Sequence, residues 1–89
     1  MTWRVNFSAD SLNFLKKNNI DETFVIDKVK LAVRKFGGED ININIKRLSG
    51  KWQGFYRIRS GKTRIIVEFK FDGRRAYVEV IDWRGSVYK

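Results

Sequence analysis

Cysteine and histidine are both missing from the 89 residues, and so is proline. Without cysteine there is no disulfide staple, thiolate metal site or cysteine nucleophile, and the chain suits a reducing compartment. Without histidine the usual general base near neutral pH and the usual zinc ligand are gone, together with every Ser-His or Cys-His arrangement. Internal repeats, low-complexity stretches and linkers are absent as well. No apolar run approaches the about 20 residues that span a bilayer, and MTWRVNFSAD carries no apolar core of a signal peptide. The expected location is the cytoplasm, with no membrane partner.

What is abundant is positive charge. The formal net charge is +9, and its distribution is uneven: residues 1–45 hold 7 Lys and Arg against 6 Asp and Glu, whereas residues 46–89 hold 12 against 4. Such an excess attracts polyanions and speeds their encounter, which makes nucleic acid the leading partner class, ahead of an anionic membrane or an acidic protein. With 43% hydrophobic and 15% aromatic residues the chain is rich enough in apolar side chains to fold, and its length allows one domain spanning residues 1–89.

The period of the apolar residues divides the chain in two. Trp3, Val5 and Phe7 alternate with polar neighbours, predicting a strand over about residues 2–7. Ser8 can cap a short helix, with Phe7 and Leu12 as its staple, that ends in the polar KKNN run. Ile20, Asp21 and Val25 repeat that signature for a second helix. There Val25, Val29, Ala32 and Phe36, flanked by Ile26 and Val33, make one inward stripe before Gly37 and Gly38 end it. From residue 41 the period becomes two: a short extended piece at 41–48, then strands at about 54–59, 63–71 and 75–82. Ser60-Gly61 and Asp72-Gly73 stand where two-residue turns would join them as antiparallel neighbours. The expected class is α+β in the order β-α-α-β-β-β, an antiparallel sheet with two N-terminal helices packed on one face.

Those turns predict a register in which Arg57 lies opposite Arg64 and Ile65 opposite Val80. One face then collects Tyr56, Ile58, Ile65, Val67, Phe69, Phe71, Val78 and Val80, for the helices to cover. The other collects Phe55, Arg57, Arg59, Arg64, Ile66, Glu68, Tyr77, Glu79 and Ile81 and stays open. Like charges paired across strands cost stability, where an opposite-charge pair would contribute roughly 0.2–1 kcal/mol. Glu68 and Glu79 are available to offset the arginines as a salt-bridged surface. The functional alternative is an anion site, several guanidiniums fixed on rigid strands where a phosphate is held.

The segment KRLSGKWQGFYRIRSGKTRIIVEF, followed after a further strand by IDWRGSVYK, resembles the RelE/ParE superfamily of type II toxins. The shared features are a Leu-x-Gly turn, a Tyr-Arg-x-Arg strand, a glycine turn leading into an arginine, and a terminal arginine followed by Val-Tyr. The resemblance runs element for element over nearly the whole chain, and most specifically over residues 47–89. It implies a RelE-like fold and, in the RelE branch, an endoribonuclease that cuts messenger RNA in the A site of the 70S ribosome, using the RNA 2′-hydroxyl as nucleophile, with no cofactor or metal. A small acidic antitoxin is the implied protein partner. The matching catalytic positions are Arg57, Arg59, Arg64, Arg84 and Tyr88. Since arginine is effectively always protonated, Arg57, Arg59 and Arg64 suit phosphate orientation and charge stabilisation rather than proton abstraction. Tyr88 among cations is the candidate base, Glu68 a weaker one, and the family assigns Arg84 to the leaving 5′-oxygen. Lys46, Arg47, Lys51, Lys62, Arg74 and Arg75 are candidates for contact with ribosomal RNA. Trp52 and Trp83 could stack on bases, but read first as residues sealing the edges of a small core. A second branch of the superfamily implies a different outcome, a non-catalytic inhibitor of DNA gyrase.

Overall fold

A computed structural model describes residues 2–83. Its elements are β1 (Arg4–Phe7), α1 (Ala9–Lys17), α2 (Glu22–Phe36), β2 (Asn44–Arg47), a 3-10 turn (Gly50–Trp52), β3 (Phe55–Ser60), β4 (Thr63–Lys70) and β5 (Arg75–Trp83). The class is α+β as expected, and the extended piece before residue 48 contributes a strand of its own. The sheet order is β1-β5-β4-β3-β2, antiparallel except that the edge strand β1 runs parallel to β5.

Both helices start where their caps predict. Ser8 Oγ accepts from the Ser11 backbone N–H at 3.0 Å, and Asp21 Oδ1 accepts from the Thr23 N–H at 2.9 Å. The Thr23 N–H and hydroxyl together hold the Asp21 carboxyl below its ordinary value. A depressed folded-state pKa means stability that is present above the unfolded value and lost as pH falls through the folded one. Asp21→Ala is therefore expected to lower the urea midpoint at neutral pH, by a margin that shrinks as pH drops below 3.8. Measuring both proteins at neutral and strongly acidic pH checks this.

One hydrophobic core joins the helices to the sheet. Val25, Val29, Ala32 and Val33 of α2 and Leu15 of α1 pack with Ile58, Ile65, Val67, Phe69, Ala76, Val78 and Ile81. Fully burying each larger side chain contributes roughly 1.5–3 kcal/mol. An aromatic group of Trp3, Phe36, Tyr56, Phe69 and Phe71 closes one end in mostly edge-to-face contacts. Leu12, assigned to a staple, remains 40% exposed, and Phe71, assigned to the covered face, is 52% exposed at the strand end.

Two local features alter the expected register. The first hairpin turns at Gly61-Lys62, not Ser60-Gly61, because Ser60 pairs with Thr63 across it and Gly61 adopts φ 59. A left-handed first position is what a type II′ turn demands, and glycine meets it without steric cost. Arg59, rather than Arg57, therefore lies opposite Arg64, and Arg57 lies opposite Ile66. The second feature is a β-bulge. Val67 pairs with Val78 as expected, but Ile66 pairs with Val80, so Glu79 is an extra residue. Beyond it the faces exchange. Ile81 enters the core opposite Ile65, Val80 moves to the outer face, and Asp82 comes opposite Arg64. The bulged segment is held from α1 and its cap: Ser8 Oγ donates to the Glu79 carbonyl at 2.7 Å and Ser11 Oγ to the Val78 carbonyl at 3.1 Å.

Candidate functional site

The corrected register aligns four side chains in one row across the outer face of the sheet: Asn44 on β2, Arg59 on β3, Arg64 on β4 and Asp82 on β5. The next row is Lys46, Arg57, Ile66 and Val80. Central strands with few degrees of freedom thus carry the three arginines. Rigidity of this kind is what a preorganised anion site requires.

The arginines are held differently. Arg64 is 7% exposed and forms a two-pronged pair with Asp82, Nε to Oδ1 at 2.9 Å and Nη2 to Oδ2 at 3.1 Å. A fork-to-fork geometry fixes the guanidinium plane and offsets its charge locally. Arg57 Nη2 donates to Asn44 Oδ1 at 2.9 Å. Arg59 takes part in no ion pair among the described residues, and its Nε is buried with no acceptor. Glu68, expected as a counter-charge or base, lies one row further along between Phe55 and Tyr77 and faces Lys70 at 3.6 Å. Glu79 sits at the bulge. Among the described residues the carboxylate paired with the cluster is Asp82, on Arg64, which the unbulged register had placed on the other face.

Nor is the outer face simply open. The chain between β2 and β3 helps shape a pocket of about 420 Å³ lined by Leu48, Lys51, Trp52, Arg57, Arg59, Arg64 and Ile66. Arg57, Arg59 and Arg64 are thereby brought together, with Lys51 at the same pocket. Lys46 is exposed beside Arg57, and Lys62 is exposed in the hairpin turn. Arg47 is exposed at the end of β2. Arg74 and Arg75 lie at the far end of β4, about 20 Å from Arg64 at roughly 3.3 Å per strand residue. Arg84 and Tyr88 fall outside the described residues. Trp83 packs edge-to-face on Phe14 at 5.0 Å, as an edge seal should. Among the described residues no group of three or more Asp, Glu, His or Cys is placed to hold a metal, and no helix is long and apolar enough to cross a membrane.

Neither a protein-family model nor a curated protein matches this sequence. Solved structures do match its fold. A metal-bound toxin from Helicobacter pylori superposes with a TM-score of 0.70 at 12% identity, covering 98% of this chain and 100% of that one. The archaeal RelE of a RelE-RelB complex from Pyrococcus horikoshii gives 0.66 at 20% identity, with 98% and 100% covered. The Escherichia coli DinJ-YafQ toxin-antitoxin complex gives 0.66 at 11%, with 100% of both chains covered. In element order, sheet topology and near-complete coverage, this chain has a RelE-like fold.

Proposed function

We propose that the protein is the cytoplasmic toxin of a type II toxin-antitoxin pair and acts as a ribosome-dependent endoribonuclease, cutting messenger RNA in the A site and restrained by an acidic antitoxin. The observation that carries this reading is the convergence of Arg57, Arg59 and Arg64 on one pocket of a sheet whose fold is that of RelE and YafQ toxins. In the reaction the RNA 2′-oxygen bonds to the adjacent phosphorus while the bond from phosphorus to the 5′-oxygen breaks. The protein's task is to hold the phosphate, stabilise the added negative charge and move two protons. Arg57 and Arg59 suit the first two roles, because both guanidiniums line the pocket and arginine presents several donors to a phosphate. Arg64, locked by Asp82, sets the floor of the site. Tyr88 is assigned the proton of the 2′-hydroxyl and Arg84 the charge on the departing 5′-oxygen, which takes its proton from water. Lys46, Arg47, Lys51 and Lys62 supply contacts to ribosomal RNA, which makes binding steeply salt-dependent.

Induced expression with mapping of RNA 5′ ends tests the proposal. The expected result is growth arrest with cuts inside translated codons; DNA damage with intact transcripts would instead assign the gyrase-directed mode. Tyr88→Phe is expected to slow single-turnover cleavage by about 10²-fold or more, the scale of a lost general base, with ribosome binding retained. Equal rates for the two proteins would remove Tyr88 from that role.

A further inference from the structure

A site for phosphate alone needs donors, yet this pocket also has an apolar part. Leu48, Trp52 and Ile66 share its lining with the arginines. Ile66 is 1% exposed although it lies on the face the helices do not cover and outside the hydrophobic core. Trp52 is half-buried and pinned edge-to-face on Phe55, with ring centroids 5.2 Å apart and planes at 82°. A ring already fixed in place loses little freedom when something stacks on it. Beside it stand the guanidiniums of Arg57 and Arg59, which line the same pocket and can donate to a phosphate oxygen.

An anionic group next to a flat apolar one is the description of a nucleotide. We infer that the pocket is a subsite for one ribonucleotide of single-stranded RNA, its phosphate taken by Arg57 and Arg59 and its base lying on Trp52, with Leu48 and Ile66 completing the apolar surround. The volume of about 420 Å³ falls in the range of small-ligand sites, about 300–1,000 Å³, and is far more than a phosphate fills. Stacking on an aromatic ring is tolerant of base identity, because every base has a π face. The subsite therefore positions the chain without selecting its sequence. This inference rests on the RNA-directed reading of the same pocket and adds the residue that holds the base.

The test uses the full chain at low salt, titrated separately with adenosine 3′-monophosphate, adenosine and inorganic phosphate. Binding is followed in every protein through the backbone amide resonances of Arg57, Arg59 and Arg64, and in the wild type also through the indole N–H resonance of Trp52, assigned by its loss in Trp52→Phe. The nucleotide is expected to move that resonance and to bind at least about tenfold more tightly than phosphate, since base stacking contributes on that scale. Trp52→Leu should abolish the difference, while Trp52→Phe, which keeps an aromatic face and serves if the leucine variant does not fold, should retain most of it. Nucleotide binding no tighter than phosphate, or undiminished in Trp52→Leu, overturns the subsite. The two readings separate cleanly: cleavage of ribosome-bound messenger without Trp52-dependent nucleotide binding removes only the subsite. Nucleotide binding with intact transcripts in induced cells removes only the nuclease.

Discussion

Asp82→Ala is expected to lower stability by about 3–5 kcal/mol, the cost of breaking a buried ion pair by removing one partner. The Arg64 and Asp82 side chains are each 9% exposed, and two hydrogen bonds at 2.9 and 3.1 Å join them. Neither group can turn to water without opening the centre of the sheet, where Thr63 to Val67 of β4 are all buried. For a domain of this size the loss corresponds to a fall in melting temperature of roughly 12–40 °C. Arg64→Ala should cost a similar amount, because it leaves the Asp82 carboxylate buried. A loss of toxicity in that variant alone would consequently confuse unfolding with lost chemistry. The double change Arg64→Met with Asp82→Leu resolves the two. Replacing a buried pair by apolar residues of similar volume is often neutral or stabilising, so the double variant is expected to melt near the wild type while RNA cleavage stays lost. Thermal unfolding of all four proteins measures it, and an Asp82→Ala protein that melts with the wild type would remove the pair from any role in holding the sheet.

Arg59→Ala is expected to do the opposite: cleavage falls by about 10²–10³, the scale of a lost transition-state donor, while the fold is unharmed. Arg59 shares no ion pair among the described residues, its Nε is buried without an acceptor, and it stands directly across from Arg64. Removing it relieves a like-charge neighbour and an unsatisfied donor together, so the melting temperature should stay level or rise. Activity lost with stability kept is the signature of a residue retained for function. Single-turnover cleavage beside thermal melts measures both quantities. A variant that cuts at the wild-type rate would take Arg59 out of the site.

The two predictions differ because the three arginines, alike in sequence, are unlike in surroundings. Helix starts, helix ends and the change of period at residue 41 were legible because each is a local signal: Ser8 and Asp21 cap their own helices, and Gly37 ends the second. Arg57 and Arg59 share a face by strand parity, which needs only sequence spacing, and Arg64 was correctly placed with them because the observed hairpin register differs from the expected one by two residues, which preserves the faces. Which arginine faces which was not. Signals for it existed, however. Glycine belongs in the first loop position of a type II′ turn, which shifts the first hairpin to Gly61-Lys62. The doublet Val80-Ile81 followed by Asp82 breaks the alternation of β5, and unbroken parity would drive a carboxylate into the core.

Composition and pattern by themselves determined the α+β class, the excess of cations in the second half, the arginine face and the exclusion of histidine and cysteine chemistry. Each of these depends on residue type or on spacing within one element or one hairpin. The tertiary structure alone decided that Asp82, 18 residues from Arg64, is its partner, and that Trp52 closes a pocket with the arginines. Both depend on how separate strands register and on where a connecting loop folds back. A bulge held by two buried serines of another element moves every later side chain of β5 to the opposite face, and no single segment carries that information.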